Sequence, residues 1–140
     1  MRAHPMGNAP NRVYSEPMKQ TFDFTGRRVF VSGGSNGIGF GIAEAMAEHG
    51  ATVVIGARDS ARAEAGAKEI AERTGSDCSA VPLDVRQTDS VAQAFSIIES
   101  RLGGLDVAVN SAGVAQSIDY QDIDDDAWDQ VVNTNLKGLH

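Results

Sequence analysis

From residue 27 onward, short apolar runs alternate with stretches whose apolar residues recur at helical spacing. Arg28-Val29-Phe30-Val31 reads as a first strand. After a glycine-rich turn, Ile38, Ile42, Met46 and His49 fall three or four apart, which predicts an amphipathic helix that Gly50 ends. Thr52-Val53-Val54-Ile55 is rich in β-branched residues and predicts a second strand. Residues 60–73 are alanine-rich and charged. They predict a helix of high propensity and modest apolar stripe, stopped by Gly75 and expected as a surface layer. Cys78 to Leu83 is a third strand. Residues 88–102 form the next helix, capped by Thr88 or Asp89, with Val91, Phe95, Ile98 and Leu102 as its core stripe and Gly103-Gly104 as its end. Leu105 to Val109 is a fourth strand. An acidic, irregular stretch then leads to a helix from about residue 125 to the end, with Trp128, Val131, Val132, Leu136 and Leu139 on its apolar face and Trp128 as a packing anchor.

Strands that alternate with helices imply right-handed crossovers and a parallel sheet covered on both faces. The fold class is α/β, a doubly wound sheet. In such sheets nucleotides bind beyond the carboxyl ends of the strands, where the strand order reverses. Functional residues are therefore expected just after residues 31, 55, 83 and 109.

After the first strand stands Ser32-Gly33-Gly34-Ser35-Asn36-Gly37-Ile38-Gly39. A strand that ends in such a turn and feeds a helix N-terminus is suited to phosphate, because free backbone N–H groups and the positive end of the helix dipole meet there; on the motif alone, a glycine-rich loop with no ligand is the equal alternative. Gly33 serves the tight turn, Gly37 lets a pyrophosphate approach the backbone, and Gly39 lets the helix lie close. The spacing Gly-x3-Gly-x-Gly differs from the Gly-x-Gly-x2-Gly of most dinucleotide folds. After the second strand, Ala57 stands where an acid would read a ribose 2′-hydroxyl, and Arg58 follows. Arg58 suits a 2′-phosphate and so favours NADP over NAD, with an ordinary surface arginine as the alternative. After the third strand, Asp84-Val85 offers a carboxylate to the adenine amino group or, equally, a turn cap. After the fourth, Asn110-Ser111-Ala112-Gly113 is small enough to pass close to a bound ribose and the nicotinamide end, or forms a plain turn.

Together with Asn135 in Val-Asn-Thr-Asn-Leu, these signals resemble the short-chain dehydrogenase/reductase family over residues 22–140. Ser32 stands in place of the usual Thr, and Ser111 in place of the second Asn of Asn-Asn-Ala-Gly; both keep a small polar group. The resemblance implies a Rossmann-type sheet of strand order 3-2-1-4, incomplete at its C-terminal side. It implies phosphate and adenosine contacts from Ser35, Asn36 and Ile38, an adenine site at Asp84 and Val85, and a ribose contact at Asn110. It also implies a nicotinamide cofactor, which Arg58 makes NADP with NAD as the alternative, and a small carbonyl or alcohol as substrate. Asn135 shares a helix face with Trp128 and Val131, where a polar amide needs partners. Read without the family it is a satisfied core Asn. Read with the family it holds a water in a proton relay to a catalytic lysine.

The family's Ser and Tyr-x3-Lys are not found among these 140 residues: Tyr14 has Met18 four residues on, and Tyr120 has Asp124. The expectation is a cofactor-binding part of a longer enzyme that does not turn over alone. The other reading is a non-catalytic dinucleotide-binding module, or a subunit completed by another chain. A homo-oligomer is expected of a full-length form. Residues 1–21, with Pro5, Pro10 and Pro17, are expected as a flexible extension, and 22–140 as one dinucleotide-binding domain.

Composition narrows the rest. A net charge of −7 argues against nucleic acid as a partner. No apolar run reaches the roughly 18 residues of a membrane span, and the first residues lack a signal-peptide core, so the cytoplasm is expected. Cys78 is the lone cysteine and reads as a small buried hydrophobe. Asp119, Asp122, Asp124, Asp125, Asp126 and Asp129 lack the glycine and glutamate of a calcium loop, and read as a solvated approach to a helix N-terminus.

Overall fold

The computed structural model describes residues 22–140; the expected N-terminal extension lies outside the described residues. The elements run β1 (Arg28–Ser32), α1 (Gly37–Glu48), β2 (Thr52–Ala57), α2 (Ser60–Thr74), β3 (Cys78–Pro82), α3 (Thr88–Leu102), β4 (Val107–Asn110) and α4 (Asp125–Asn135). Short 3-10 turns occur at Tyr120–Asp122 and Lys137–Leu139, so the last helix stops at Asn135 rather than reaching the end.

The strands form a parallel sheet in the order β3-β2-β1-β4. Alternation along β1 and β2 sends side chains to both faces. Val29, Val31, Val53 and Ile55 meet Ala43 and Ala47 of α1 and Ala67 and Ile70 of α2. On the other face, Phe30, Val54 and Val81 meet Ala94 and Ile98 of α3. Ile55, Ile70 and Ile98 are fully buried, each contributing about 1.5–3 kcal/mol through removal of apolar surface from water. Phe95 lies at the edge of this second cluster. It is 40% exposed, yet its ring meets Phe30 edge-on at 5.4 Å.

Small residues set the helix contacts, which corrects the stripe expected for α1. The buried positions are Gly39, Ala43 and Ala47, and Ile38 is 81% exposed. A Cβ on Gly39 would run into the carbonyl of Gly33. That close approach fixes the rotation of the helix and moves the larger residues one position off the contact. Likewise α2 lies on the sheet through Ala63, Gly66, Ala67 and Ile70. Asp59 caps it by accepting from Arg62 N at 3.0 Å, and Gly75 ends it with φ at +73°.

Other boundaries moved for tertiary reasons. Neither Thr88 nor Asp89 caps α3; Gln87 occupies that position without a side-chain cap, and Ser90 Oγ instead accepts from Asp84 N at 2.9 Å. Leu105 packs against the α3 cluster, and β4 begins only at Val107. Asp106, just before it, forks onto Arg28. Its Oδ2 accepts from Arg28 N and Nε at 2.8 and 2.9 Å, and its Oδ1 from Nη2 at 3.1 Å, which ties the starts of β1 and β4 together. In α4, Asp124 caps Ala127 N at 2.8 Å. Trp128 is not a packing anchor: it is 60% exposed, and Leu136 is 68% exposed. No described residue covers this face. Among the described residues, no helix is long and apolar enough to cross a membrane.

Candidate dinucleotide site

The carboxyl ends of the strands open into a cleft of about 730 Å³, a volume suited to a small-molecule ligand. Its floor and walls come from the turns that follow all the strands. Gly33, Ser35, Asn36, Gly37, Ile38 and Gly39 line it after β1; Arg58 after β2; Asp84 and Val85 after β3; Ala112 and Gly113 after β4. These are residues that the sequence nominated. Four turns far apart in the chain thus form one surface.

Two nominated residues are not among those lining the cleft. Ser32 is 2% exposed, and its Oγ accepts from Ser111 N at 3.2 Å and Ala112 N at 3.3 Å. It braces the β4 turn against β1 and does not line the cleft. Asn110 closes β4 opposite Ser32 in the parallel register and likewise does not line it.

The glycines divide the work as follows. Gly33 has φ at +70°, and a Cβ there would lie 2.7 Å from Ala112 Cα, so the turn is held against the post-β4 segment. Gly37 has φ at +56° with open space around the place of a Cβ. The first therefore serves the fold, and the second leaves room on the cleft side. Asn36 precedes α1 without capping it, and no acid occupies the first turn. Among the described residues, no side chain accepts from the N–H groups at that helix end, an arrangement that favours an anion.

At the adenosine end expected from the motifs, Asp84 is not free. Arg86 Nε donates to Asp84 Oδ1 at 2.9 Å and Nη2 to Oδ2 at 2.6 Å, while Arg86 N bonds Oδ1 at 3.0 Å. The fork holds the Asp84 carboxyl below the usual carboxylate range, with Arg58 adding a smaller effect through its charge. The turn reading of Asp84 holds, and the carboxylate is tied to Arg86. It forms a turn through the Arg86 backbone and also faces the cleft.

Asn135 finds the partners that its amide requires, though not in the core. Its Oδ1 accepts from Val114 N and its Nδ2 donates to Val114 O, both at 2.9 Å, and the residue is exposed. Val114 lines the cleft, so Asn135 positions one wall from behind.

Several lining residues carried no signal that the sequence reading used: Arg62, Arg86, Val114 and Thr134. Arg86 was readable in hindsight as a cation two residues after Asp84. Thr134 was not. It is 6% exposed, and its Oγ1 has no hydrogen-bond partner among the described residues. A buried, unpaired hydroxyl on a cleft wall and an uncapped helix above open space at Gly37 both fit a polar, anionic dinucleotide.

A family model described as short chain dehydrogenase matches residues 27–140. The chain belongs to the short-chain dehydrogenase/reductase family. It is similar to the 3-oxoacyl-acyl-carrier-protein reductase of Chlamydia muridarum, with 34% identity over 114 residues, 81% of this chain and 46% of that protein. It is also similar to gluconate 5-dehydrogenase of Gluconobacter oxydans, with 30% identity over 118 residues, 84% of this chain and 46% of that one. Among solved structures, a short chain dehydrogenase from Burkholderia cenocepacia in complex with NADP superposes with a TM-score of 0.76 at 34% identity, covering 84% of this chain and 48% of that one. The short-chain dehydrogenase/reductase chain therefore spans about half the length of the curated relatives it matches.

Proposed function

We propose that this chain holds NADP and serves an oxidoreductase that moves a hydride between the nicotinamide and a carbonyl or alcohol substrate. The observation that carries the reading is the continuity of the cleft, which runs from the uncapped start of α1 to Arg58 at the end of β2. The pyrophosphate belongs at Ser35 to Gly39, where backbone N–H groups and the helix dipole favour negative charge. The adenosine belongs between Arg58, Asp84 and Val85, with Arg58 matched to a 2′-phosphate by charge-assisted hydrogen bonds. The nicotinamide end belongs along Ala112 and Gly113. When bound, the nicotinamide supplies hydride chemistry; the protein supplies binding and orientation. The NADP-bound relative from Burkholderia cenocepacia supports the choice of NADP over NAD.

Asn135 holds Val114 in place, and its proposed role toward a proton relay depends on a lysine that these 140 residues do not provide in a Tyr-x3-Lys motif. The chain alone is accordingly expected to bind cofactor without turning over. A second reading is a dinucleotide-binding module or a subunit completed by another chain. The expected compartment is the cytoplasm, and the expected state of a longer form is a homo-oligomer.

The test is calorimetric titration of the chain and of Arg58→Ala with NADP and NAD, beside an assay of carbonyl reduction with NADPH. NADP affinity should fall about tenfold in the variant, the value of a charge-assisted bond, with NAD unaffected. An unchanged NADP-to-NAD ratio overturns the cofactor assignment, and robust turnover by the chain alone overturns the division of labour.

A further inference from the structure

Beyond its N-cap Asp59, the first turn of α2 holds no acid and carries Arg62 at its third position, four residues after Arg58; a cation there sits at the positive end of the helix dipole. Both arginines line the cleft. Among the described residues neither guanidinium has an ion-pair partner, whereas Arg28, Arg73 and Arg86 each pair with a carboxylate.

The neighbouring acids are already engaged. Asp59 Oδ1 accepts from the backbone N–H of Arg62 at 3.0 Å and so serves as the helix cap. Asp84 has both oxygens on Arg86. In a chain of net charge −7, this leaves a local excess of cation at one end of the cleft.

We propose that Arg62 is a second selectivity residue for a phosphomonoester on the adenosine ribose, clamping it together with Arg58. The inference rests on the NADP reading above and extends it to a residue outside the strand-end motif. A phosphate presents enough oxygens for a guanidinium from each side. An unphosphorylated ribose presents only hydroxyls and leaves both cations without an anion. The α2 dipole, unfavourable for Arg62 alone, favours the phosphate that Arg62 would hold. Asp59 contributes by capping, which directs its Oδ1 to the α2 N-terminus.

The experiment titrates the 140-residue chain, Arg62→Ala, Arg62→Lys and Arg58→Ala with NADP, NAD, 2′,5′-ADP and 5′-ADP by calorimetry. Circular dichroism monitors the fold, which Arg62→Ala should preserve because it removes a cation from a helix start. Arg62→Ala should lower affinity for NADP and 2′,5′-ADP about five- to tenfold and leave NAD and 5′-ADP unchanged. Arg62→Lys should restore part of the loss, since it keeps charge but not the planar fork. If Arg58→Ala lowers NADP selectivity and Arg62→Ala does not, the Arg62 proposal is overturned and the NADP reading stands. Equal losses for phosphorylated and unphosphorylated ligands in Arg62→Ala also overturn it, by marking a structural role. A parent chain that binds NAD as tightly as NADP overturns the underlying reading, and the clamp with it.

Discussion

Asn135 grips the backbone of Val114 in both directions, accepting its N–H and donating to its carbonyl at 2.9 Å each. This side chain does what a neighbouring strand does, and it fastens the end of α4 to the segment that follows β4. Asn135→Ala is expected to lower unfolding stability by about 1 kcal/mol, the net worth of such hydrogen bonds with water free to replace them. Asn135→Asp should behave similarly, because a carboxylate accepts but cannot donate to Val114 O. Urea midpoints measure both, and midpoints equal to the parent's would mean that the bridge contributes nothing.

The glycine loop separates fold from binding. Alanine at Gly39 would meet the backbone of Gly33, with the carbonyl carbon 2.9 Å away, and backbone cannot step aside cheaply. A loss of about 1–3 kcal/mol is expected. Alanine at Gly37 meets nothing, but its φ of +56° costs about 1–2 kcal/mol, and its methyl group enters the open space above the loop. Gly37→Ala should therefore lose dinucleotide affinity out of proportion to its stability, read by calorimetry against thermal melts. Equal binding by Gly37→Ala and the parent would remove the loop from the proposed phosphate site.

Acid should unfasten the molecule at identifiable places. The Arg28 fork holds the Asp106 carboxyl far below its ordinary value, and the Arg86 fork lowers Asp84. A depressed folded-state value means that the unfolded chain binds protons first as pH falls. The stabilisation is fully present above the unfolded carboxylate value of about 4 and is lost as pH drops through the lower folded values. Denaturant midpoints should hold steady from pH 7 to about 5 and then decline. Asp106→Asn should start lower and decline less steeply; a parallel decline in parent and variant would assign the acid sensitivity elsewhere.

Burial raises the Cys78 thiol to about 11, with Asp77 adding to the effect. Little thiolate exists at neutral pH, so alkylation of the folded chain at pH 8 should be slow and should accelerate in urea. Rapid folded-state labelling would show that the strand is open to reagent.

Secondary structure was legible where local signals agree. Gly75 ends α2 in the left-handed conformation, and Asp124 sits as cap where the acidic stretch meets α4. The order of strands and the meeting of Ser35, Arg58, Asp84 and Ala112 at one cleft followed from alternation, since parallel strands place all their carboxyl ends together. What periodicity could not give was helix rotation. In α1 the buried face is Gly39, Ala43 and Ala47, a position away from the bulkier residues, because closeness of approach there favours the absence of side chain. Trp128 and Leu136 looked like core by the same reasoning, and no described residue covers them.

The sequence by itself determined the class of the fold, the glycine loop and the place of Arg58, because strand–helix alternation, a turn and a strand end are all written in the order of residues along the chain. Only the tertiary structure decided which polar groups are already spent. Ser32 is committed to the backbone of Ser111 and Ala112, Asp84 to Arg86, Asp59 to the α2 N-terminus and Asn135 to Val114. Among the described residues, Arg58 and Arg62 have no ion-pair partner and the Thr134 hydroxyl no hydrogen-bond partner, and all three line the cleft. The reason is physical: a hydrogen bond depends on distance and angle in space, and residues as far apart as Ser32 and Ala112 acquire both only once the sheet has formed.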